Sequence, residues 1–286
     1  MRVTTINDVL NLTNTSDEYI CITINFFENP NSIKILDNLN SLTTFSDSIT
    51  EVYINKDFRE ELVDVSFLEK IRKIKKIKIN SHLHNFNDLN VSNTLEILNF
   101  QNSKINDLLF LKQYKNLKYL QFENCKFNKS LKSLNKLKNL KELKFINCSL
   151  ELIKPLRNKI IFKKNCFPDS LDLLHIHIKD VNENQISLNF LQNLRKLNEL
   201  KLSICTHLIQ KLNYADSIKT LILESVTNET DPLFDLNFNF LLKLKNLENL
   251  CITYLLEVRN KIRVRSLRSK TYLNTLQLPR KLSIRE

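Results

Sequence analysis

The chain of 286 residues contains no glycine, no tryptophan, one methionine and a single alanine, Ala215. The missing glycine removes whole classes of chemistry. A phosphate-cradling loop or a dinucleotide fingerprint needs glycine for close backbone approach and positive φ, so neither is present in its usual form. Turns and helix ends must use asparagine, the next most tolerant residue of the left-handed region. Long apolar runs are also missing, and nothing reaches the length of a spanning helix. The start, MRVTTINDVLNLTNTSDEYICITINFF, lacks the basic head and continuous apolar run of a leader. The six cysteines, Cys21, Cys125, Cys148, Cys166, Cys205 and Cys251, form no C-x-x-C pair. Scattered thiols fit a reducing, intracellular and most simply cytoplasmic setting. No H-E-x-x-H or G-x-S-x-G is found, and no Cys–His pair that a regular fold would bring together. The expectation is therefore a protein that is not an enzyme, with no catalytic residues, no cofactor and no metal.

Lysine, asparagine, isoleucine and leucine fill the gap, which reads as the codon bias of an AT-rich genome. The same bias bears on charge. With 43 basic and 31 acidic residues the net charge is +12 and the pI about 9.3. Such a balance ordinarily points to an acidic partner. Here lysine-rich codons are a competing source of it, so charge alone does not favour nucleic acid.

The stretch NLKYLQFENCKF returns as NLKELKFINCSL 23 residues later. Its apolar positions are Leu117, Leu120, Phe122, Cys125, Phe127 and Leu140, Leu143, Phe145, Cys148, Leu150. The unit before is Leu95, Leu98, Phe100, Ser103, Ile105. The register extends upstream through Ile74, Ile77, Ile79, then Ile49, Val52, Ile54, and Tyr19, Ile22, Ile24. Downstream it runs through Leu171, Leu174, Ile176; Leu197, Leu200, Leu202; Ile218, Leu221, Leu223; Leu247, Leu250, Ile252; and Leu273, Leu276, Leu278. Ten or eleven units of 21–31 residues result, over 19–286, with 1–18 as an N-terminal cap.

The L-x-L core of each unit alternates as a strand with one buried face must. The spacing then changes to three, as in Leu131, Leu134, Leu137 and Leu188, Leu191, Leu194, which suits a helical or 3₁₀ return. One such coil cannot bury its apolar face alone, so coils stack and their strands form a parallel sheet. Between Leu140 and Leu171, and again between Ile218 and Leu247, a single long coil is expected. At the C-terminal edge, Pro279, Arg280, Lys281 and Arg285 read as devices that blunt an open sheet edge.

These residues resemble the leucine-rich repeat family, whose pattern is L-x-x-L-x-L-x-x-N/C-x-L. The resemblance implies an α/β solenoid, a horseshoe with a concave parallel sheet and helical or 3₁₀ returns on the convex side. The ninth position is degenerate here: Cys125, Cys148 and Cys205, but Asp57, His82, Ser103, Lys179 and Val226. The glycine-free composition and irregular units look like the leucine-rich repeat genes of insect poxviruses. The ubiquitin-ligase members of the family carry an F-box ahead of the repeats, and residues 1–18 are too few to hold one.

Period two also assigns the concave face. Its central column reads Tyr53, Lys78, Asn99, Gln121, Lys144, His175 and Lys201. Two residues on stand Glu123, His177 and Glu224. The acids Glu51, Glu96, Glu123, Glu142, Asp172, Glu199, Glu224 and Glu248 are expected to offset the lysines of this surface. A groove for a phosphate backbone would be one-signed and interleaved with aromatics. This one suits a protein partner, a host protein if the chain is viral. His175 and His177 share one strand face, but structural zinc takes four ligands and the flanking units offer no matching cysteine.

Two basic runs stand apart. IRKIKKIKI (71–79) places Lys76 and Lys78 beside Ile77 and Ile79. RNKIRVRSLRSK (259–270) brings Arg259, Lys261, Arg263, Arg265, Arg268 and Lys270 together with no acid, and is expected on a return segment. The reading that follows is a monomeric, non-enzymatic interaction scaffold. Its alternatives are a ligase substrate receptor with the adaptor supplied in trans, and binding of nucleic acid or another acidic partner through 259–270. Edge-to-edge dimerisation through the C-terminal strand is the alternative to a monomer.

Overall fold

Isoleucine, leucine and phenylalanine at every second position build the strands. In the computed structural model the described residues are 2–3, 20–25, 32–55, 64–80, 91, 93–127, 131–150, 166–178, 188–203, 216–228, 244–258, 261–266 and 283–284. The strands begin with β1 (Arg2–Val3), β2 (Ile20–Asn25), β3 (Ile49–Asn55), β4 (Lys76–Asn80) and β5 (Ile97–Gln101). They continue with β6 (Lys104–Ile105), β7 (Tyr119–Glu123), β8 (Lys126–Phe127), β9 (Glu142–Leu150) and β10 (Leu173–Ile178). The last are β11 (Glu199–Ser203), β12 (Thr220–Asn228), β13 (Asn249–Val258), β14 (Lys261–Ser266) and β15 (Ser283–Ile284).

Twelve of them make one sheet in the order β1-β2-β3-β4-β5-β7-β9-β10-β11-β12-β13-β14, parallel as far as β13. This is the α/β leucine-rich-repeat solenoid that the sequence implied. In β4, Ile77 and Ile79 are buried while Lys76, Lys78 and Asn80 are half-buried, and β5 and β7 repeat the pattern. The buried row continues through Leu98, Leu120, Leu143, Leu174, Leu200 and Leu221. Each side chain of this size withdrawn from water contributes about 1.5–3 kcal/mol against the entropy of ordering the coil.

The returns follow the three-residue spacing. Short 3₁₀ helices span Ser66–Lys70, Leu109–Gln113, Leu131–Lys136 and Asn189–Asn193, and an α-helix, α1, spans Ser32–Ser41. Phe67, Phe110, Leu134 and Phe190 point from the 3₁₀ turns into the core. Phe100, Phe122 and Phe145 stack one above the next, with ring centroids 5.5 and 5.4 Å apart.

Asparagine does the work of glycine where each central coil leaves the sheet. Asn102, Asn124 and Asn147 have φ of 49°, 51° and 53°, the left-handed region that a short amide side chain tolerates best after glycine. The next residue fills the ninth position. Ser103 donates to the Gln101 carbonyl at 2.8 Å, Cys125 to that of Phe100 at 3.5 Å, and Cys148 to that of Phe122 at 3.4 Å. Val226 offers no such donor, and there β12 runs on to Asn228 in register with β13.

Where the long coils are expected, β9 lies directly beside β10 and β12 beside β13. The extra segment expected at 151–165 lies outside the described residues, as do Asp57, His82, Lys179 and Cys205. At the N-terminal end Arg2–Val3 pairs with Thr23–Ile24 and extends the sheet. The short helix expected from Asn7 lies outside the described residues.

The C-terminal end differs from expectation. Lys261–Ser266 is not a return segment but an antiparallel strand on β13, with Val258 opposite Lys261. Two residues join the strands, a connection that only a hairpin makes. Ile262 and Val264 alternate with Lys261, Arg263 and Arg265, which is the period of a strand. Ser283–Ile284 pairs in parallel with Asn249–Leu250, and the unit expected at Leu273, Leu276 and Leu278 lies outside the described residues. Arg259, Arg268 and Lys270 lie outside the described residues.

Candidate functional site: the concave sheet

Backbone register turns the polar positions into three rows, the second broken where the register shifts between β9 and β10. The central row runs Thr23, Tyr53, Lys78, Asn99, Gln121, Lys144, His175, Lys201, Ile222, Cys251, each residue opposite the next. The residues named from sequence for this row are thus brought side by side. A second row holds Asn55, Asn80, Gln101, Glu123 and Ile146, and further along Ser203 opposite both His177 and Glu224.

Period two points to the third row as directly as to the others. It runs Cys21, Glu51, Lys76, Ile97, Tyr119, Glu142, Leu173, Glu199, Thr220, Asn249. Glu96, Asp172 and Glu248, expected among the groove acids, stand instead at the rim, one residue before this row.

Three of the four lysines in these rows meet a carboxylate within the groove. Lys76 lies 3.5 Å from Glu51 and 5.1 Å from the centre of the Tyr53 ring, while Tyr53 donates to Glu51 at 2.7 Å. Lys144 repeats the arrangement, 3.3 Å from Glu142 and 5.0 Å from the Tyr119 ring centre. Cation–π contact adds to each ion pair and holds each tyrosine ring against the sheet. Tyr119 donates to Gln121, and the amides of Gln101 and Gln121 both donate to Glu123, at 2.6 and 3.2 Å. Lys201 and Ser203 converge on Glu224, at 2.6 and 2.7 Å. Among the described residues the three rows hold Lys76, Lys78, Lys144 and Lys201 against Glu51, Glu123, Glu142, Glu199 and Glu224, close to balance in a chain of net charge +12.

These contacts set the titration of the groove. Burial raises Tyr53, and its hydrogen bond to Lys76 raises that ammonium. Burial alone would raise Glu224, but Lys201 and Ser203 overcome it and hold the carboxyl below its usual range. His175 is pushed down to about 4 by burial and then by Lys201, with Lys144 and His177 acting in the same direction against Glu224. It is neutral at pH 7, and its buried Nε2 has no hydrogen-bond partner. The buried Oδ1 of Asn99, in the same row, has none either. Among the described residues no group of three His, Cys, Asp or Glu converges as a metal site.

No family model and no curated protein matches the chain. Solved structures do. An internalin (inlF) from Listeria monocytogenes superposes with a TM-score of 0.53 at 18% identity, covering 90% of this chain and 67% of the other. Internalin C2 of the same bacterium gives 0.39 at 16%, covering 76% and 84%. The Toll–Spätzle complex of Drosophila gives 0.30 at 11%, covering 88% and 49%. The first likeness carries the fold, a leucine-rich-repeat solenoid. No helix among the described residues is long and apolar enough to cross a membrane.

Proposed function

We propose that the chain is a non-enzymatic scaffold that binds a protein partner along its concave sheet. The observation that carries this reading is the charge balance of the groove. A strongly basic chain presents a near-neutral, hydrogen-bonding floor there, with Tyr53 and Tyr119 held in place and Ile97 between their strands. Aromatic anchors with few uncompensated charges suit the centre of a protein interface and do not suit a phosphate backbone. If the chain is viral, as its resemblance to the insect poxvirus genes suggests, the partner is a host protein met inside the cell.

The test is affinity purification with mass spectrometry from expressing cells, comparing the wild type with a Tyr53→Ala, Tyr119→Ala variant. A partner captured by the first and lost from the second supports the reading. An unchanged set of captured proteins overturns it. Recovery of ligase scaffold components with the wild type would make the protein a substrate receptor with its adaptor in trans.

A further inference from the structure

The positive excess that the groove lacks gathers at the rim where the concave strands begin. There the backbone forms a ladder through Lys75, Glu96, Lys118, Lys141 and Asp172, each N–H donating at 2.8 Å to the residue one coil before. Three residues earlier in their coils stand Arg72, Lys115 and Lys138. All six cations of this block are exposed. They rise from fixed backbone: the Asn116 amide donates to the Asn93 carbonyl at 2.6 Å and the Asn139 amide to that of Lys115 at 2.9 Å. Ile74, Leu117 and Leu140, wholly buried, anchor the same turns.

Cations outnumber acids on this rim. Glu96, between Lys75 and Lys118 in the ladder, pairs with Lys118 at 3.0 Å, and Lys73, next to Arg72, pairs with Asp47 at 3.2 Å. In the groove, by contrast, Lys76, Lys144 and Lys201 each meet a carboxylate. Codon bias supplies lysines but does not explain why acids match them in number on one face and are outnumbered on another. Coils stack about 4.8 Å apart, so like charges on neighbouring coils repel and the fold gains nothing from them.

We propose that this rim is a second docking surface, for an acidic segment of a partner protein. Four coils span about 15 Å, which matches two to three turns of a helix. Glu96 interrupts the ladder and Asp169 and Asp172 close it. A polymer charged at every unit would meet all three acids, whereas a protein segment can space its carboxylates to avoid them. Tyr114, next to Lys115, is buried, and the ring of Tyr119, next to Lys118, is covered by Lys144 in the groove, so neither is free to stack on a base.

The experiment measures binding of a fluorescein-labelled poly-glutamate peptide by anisotropy at low salt. One variant carries Lys115→Gln, Lys118→Gln, Lys138→Gln and Lys141→Gln. Its control removes the same charge elsewhere, at the exposed Lys104, Lys112, Lys126 and Lys132, all to Gln. Thermal melting of both verifies folding. The expected result is about tenfold weaker binding for the rim variant, with a shallower salt dependence, and less than about twofold loss for the control. Equal loss in both variants overturns the proposal, since net charge alone would then explain binding. So does tighter, rim-dependent binding of a short single-stranded oligonucleotide, which would assign the rim to nucleic acid.

Discussion

The Lys201 ammonium stands 2.6 Å from the Glu224 carboxylate, across the neighbouring strands β11 and β12. Ser203, on the same strand as Lys201, donates to the other carboxylate oxygen at 2.7 Å. The pair is half-buried and doubly supported, so it exceeds a typical surface ion pair. Replacing Glu224 with Gln removes the charge and keeps the shape. The expected cost is about 1 kcal/mol, read as a lower denaturation midpoint. A double-mutant cycle with Lys201→Met should return a coupling energy of similar size. A coupling near zero would show the contact to be electrostatically idle.

His175 makes the groove sensitive to acid. Its folded-state value of about 4 lies below its ordinary value of 6.5. Between these values the unfolded chain binds a proton that the folded chain does not, so stability falls as pH drops from 6.5 towards 4. After allowance for partial solvent screening the loss is about 1–2 kcal/mol. Urea unfolding at successive pH values should show the decline in the wild type and a flatter curve in His175→Gln. Identical slopes in the two proteins would remove His175 from the account.

Asn124 replaces a glycine at a position that demands positive φ, 51°. Asn124→Ala should destabilise by about 1 kcal/mol, because a Cβ without a polar group gains nothing in that region. Asn124→Gly should be neutral within a few tenths. Melting temperatures of the two variants decide the point, and equal destabilisation would mean that the side chain, not the backbone, is what matters there.

The apolar rows were legible in the sequence because burial imposes a strict period. Leu120 must be inside if Leu98 and Leu143 are, and their spacing states as much. The need for asparagine was legible too, since a chain without glycine has few other ways to turn at Asn102, Asn124 and Asn147. The charge segregation was not. Glu96 and Glu142 read alike in sequence, each next to the strand core, yet one residue of offset puts Glu142 in the groove and Glu96 on the rim. The antiparallel strand β14 was hidden for another reason. Lys261, Arg263 and Arg265 stand out in sequence as charges, while Ile262 and Val264 between them carry the strand period. Pairing of lysines with carboxylates depends on which coil lies beside which, and that emerges only when the ladder is assembled.

Phe122 tests whether the ring stack is structural. It lies 5.5 Å from Phe100, 5.4 Å from Phe145 and 5.0 Å from Phe127, centroid to centroid, and is wholly buried. Phe122→Ala should cost about 3–5 kcal/mol, enough to unfold the central coils of a marginal solenoid, and Phe122→Leu distinctly less. Coils of a solenoid contact only their neighbours. Hydrogen exchange should therefore show protection lost first in β5, β7 and β9 and later in β11. Uniform loss across all strands would mean that the described coils unfold as one unit.

The ninth-position thiols are scaffold cysteines and differ in reactivity from those of the groove face. Burial raises Cys125 to about 11 and Cys148 to about 12, and each sulfur is engaged with a backbone carbonyl. A thiol of that kind has almost no thiolate at neutral pH and no access for a reagent. Cys21 and Cys251, on the groove face, are partly exposed. A mild alkylating agent applied to the native protein should therefore label Cys21 and Cys251 first. Cys125 and Cys148 should react only after denaturation, as peptide mapping by mass spectrometry would report. Serine stands at the equivalent position in the preceding coil, where Ser103 makes the same kind of backbone bond, so Cys148→Ser should cost less than Cys148→Ala. Early labelling of Cys148 would mean that the central coils open far more readily than their packing allows.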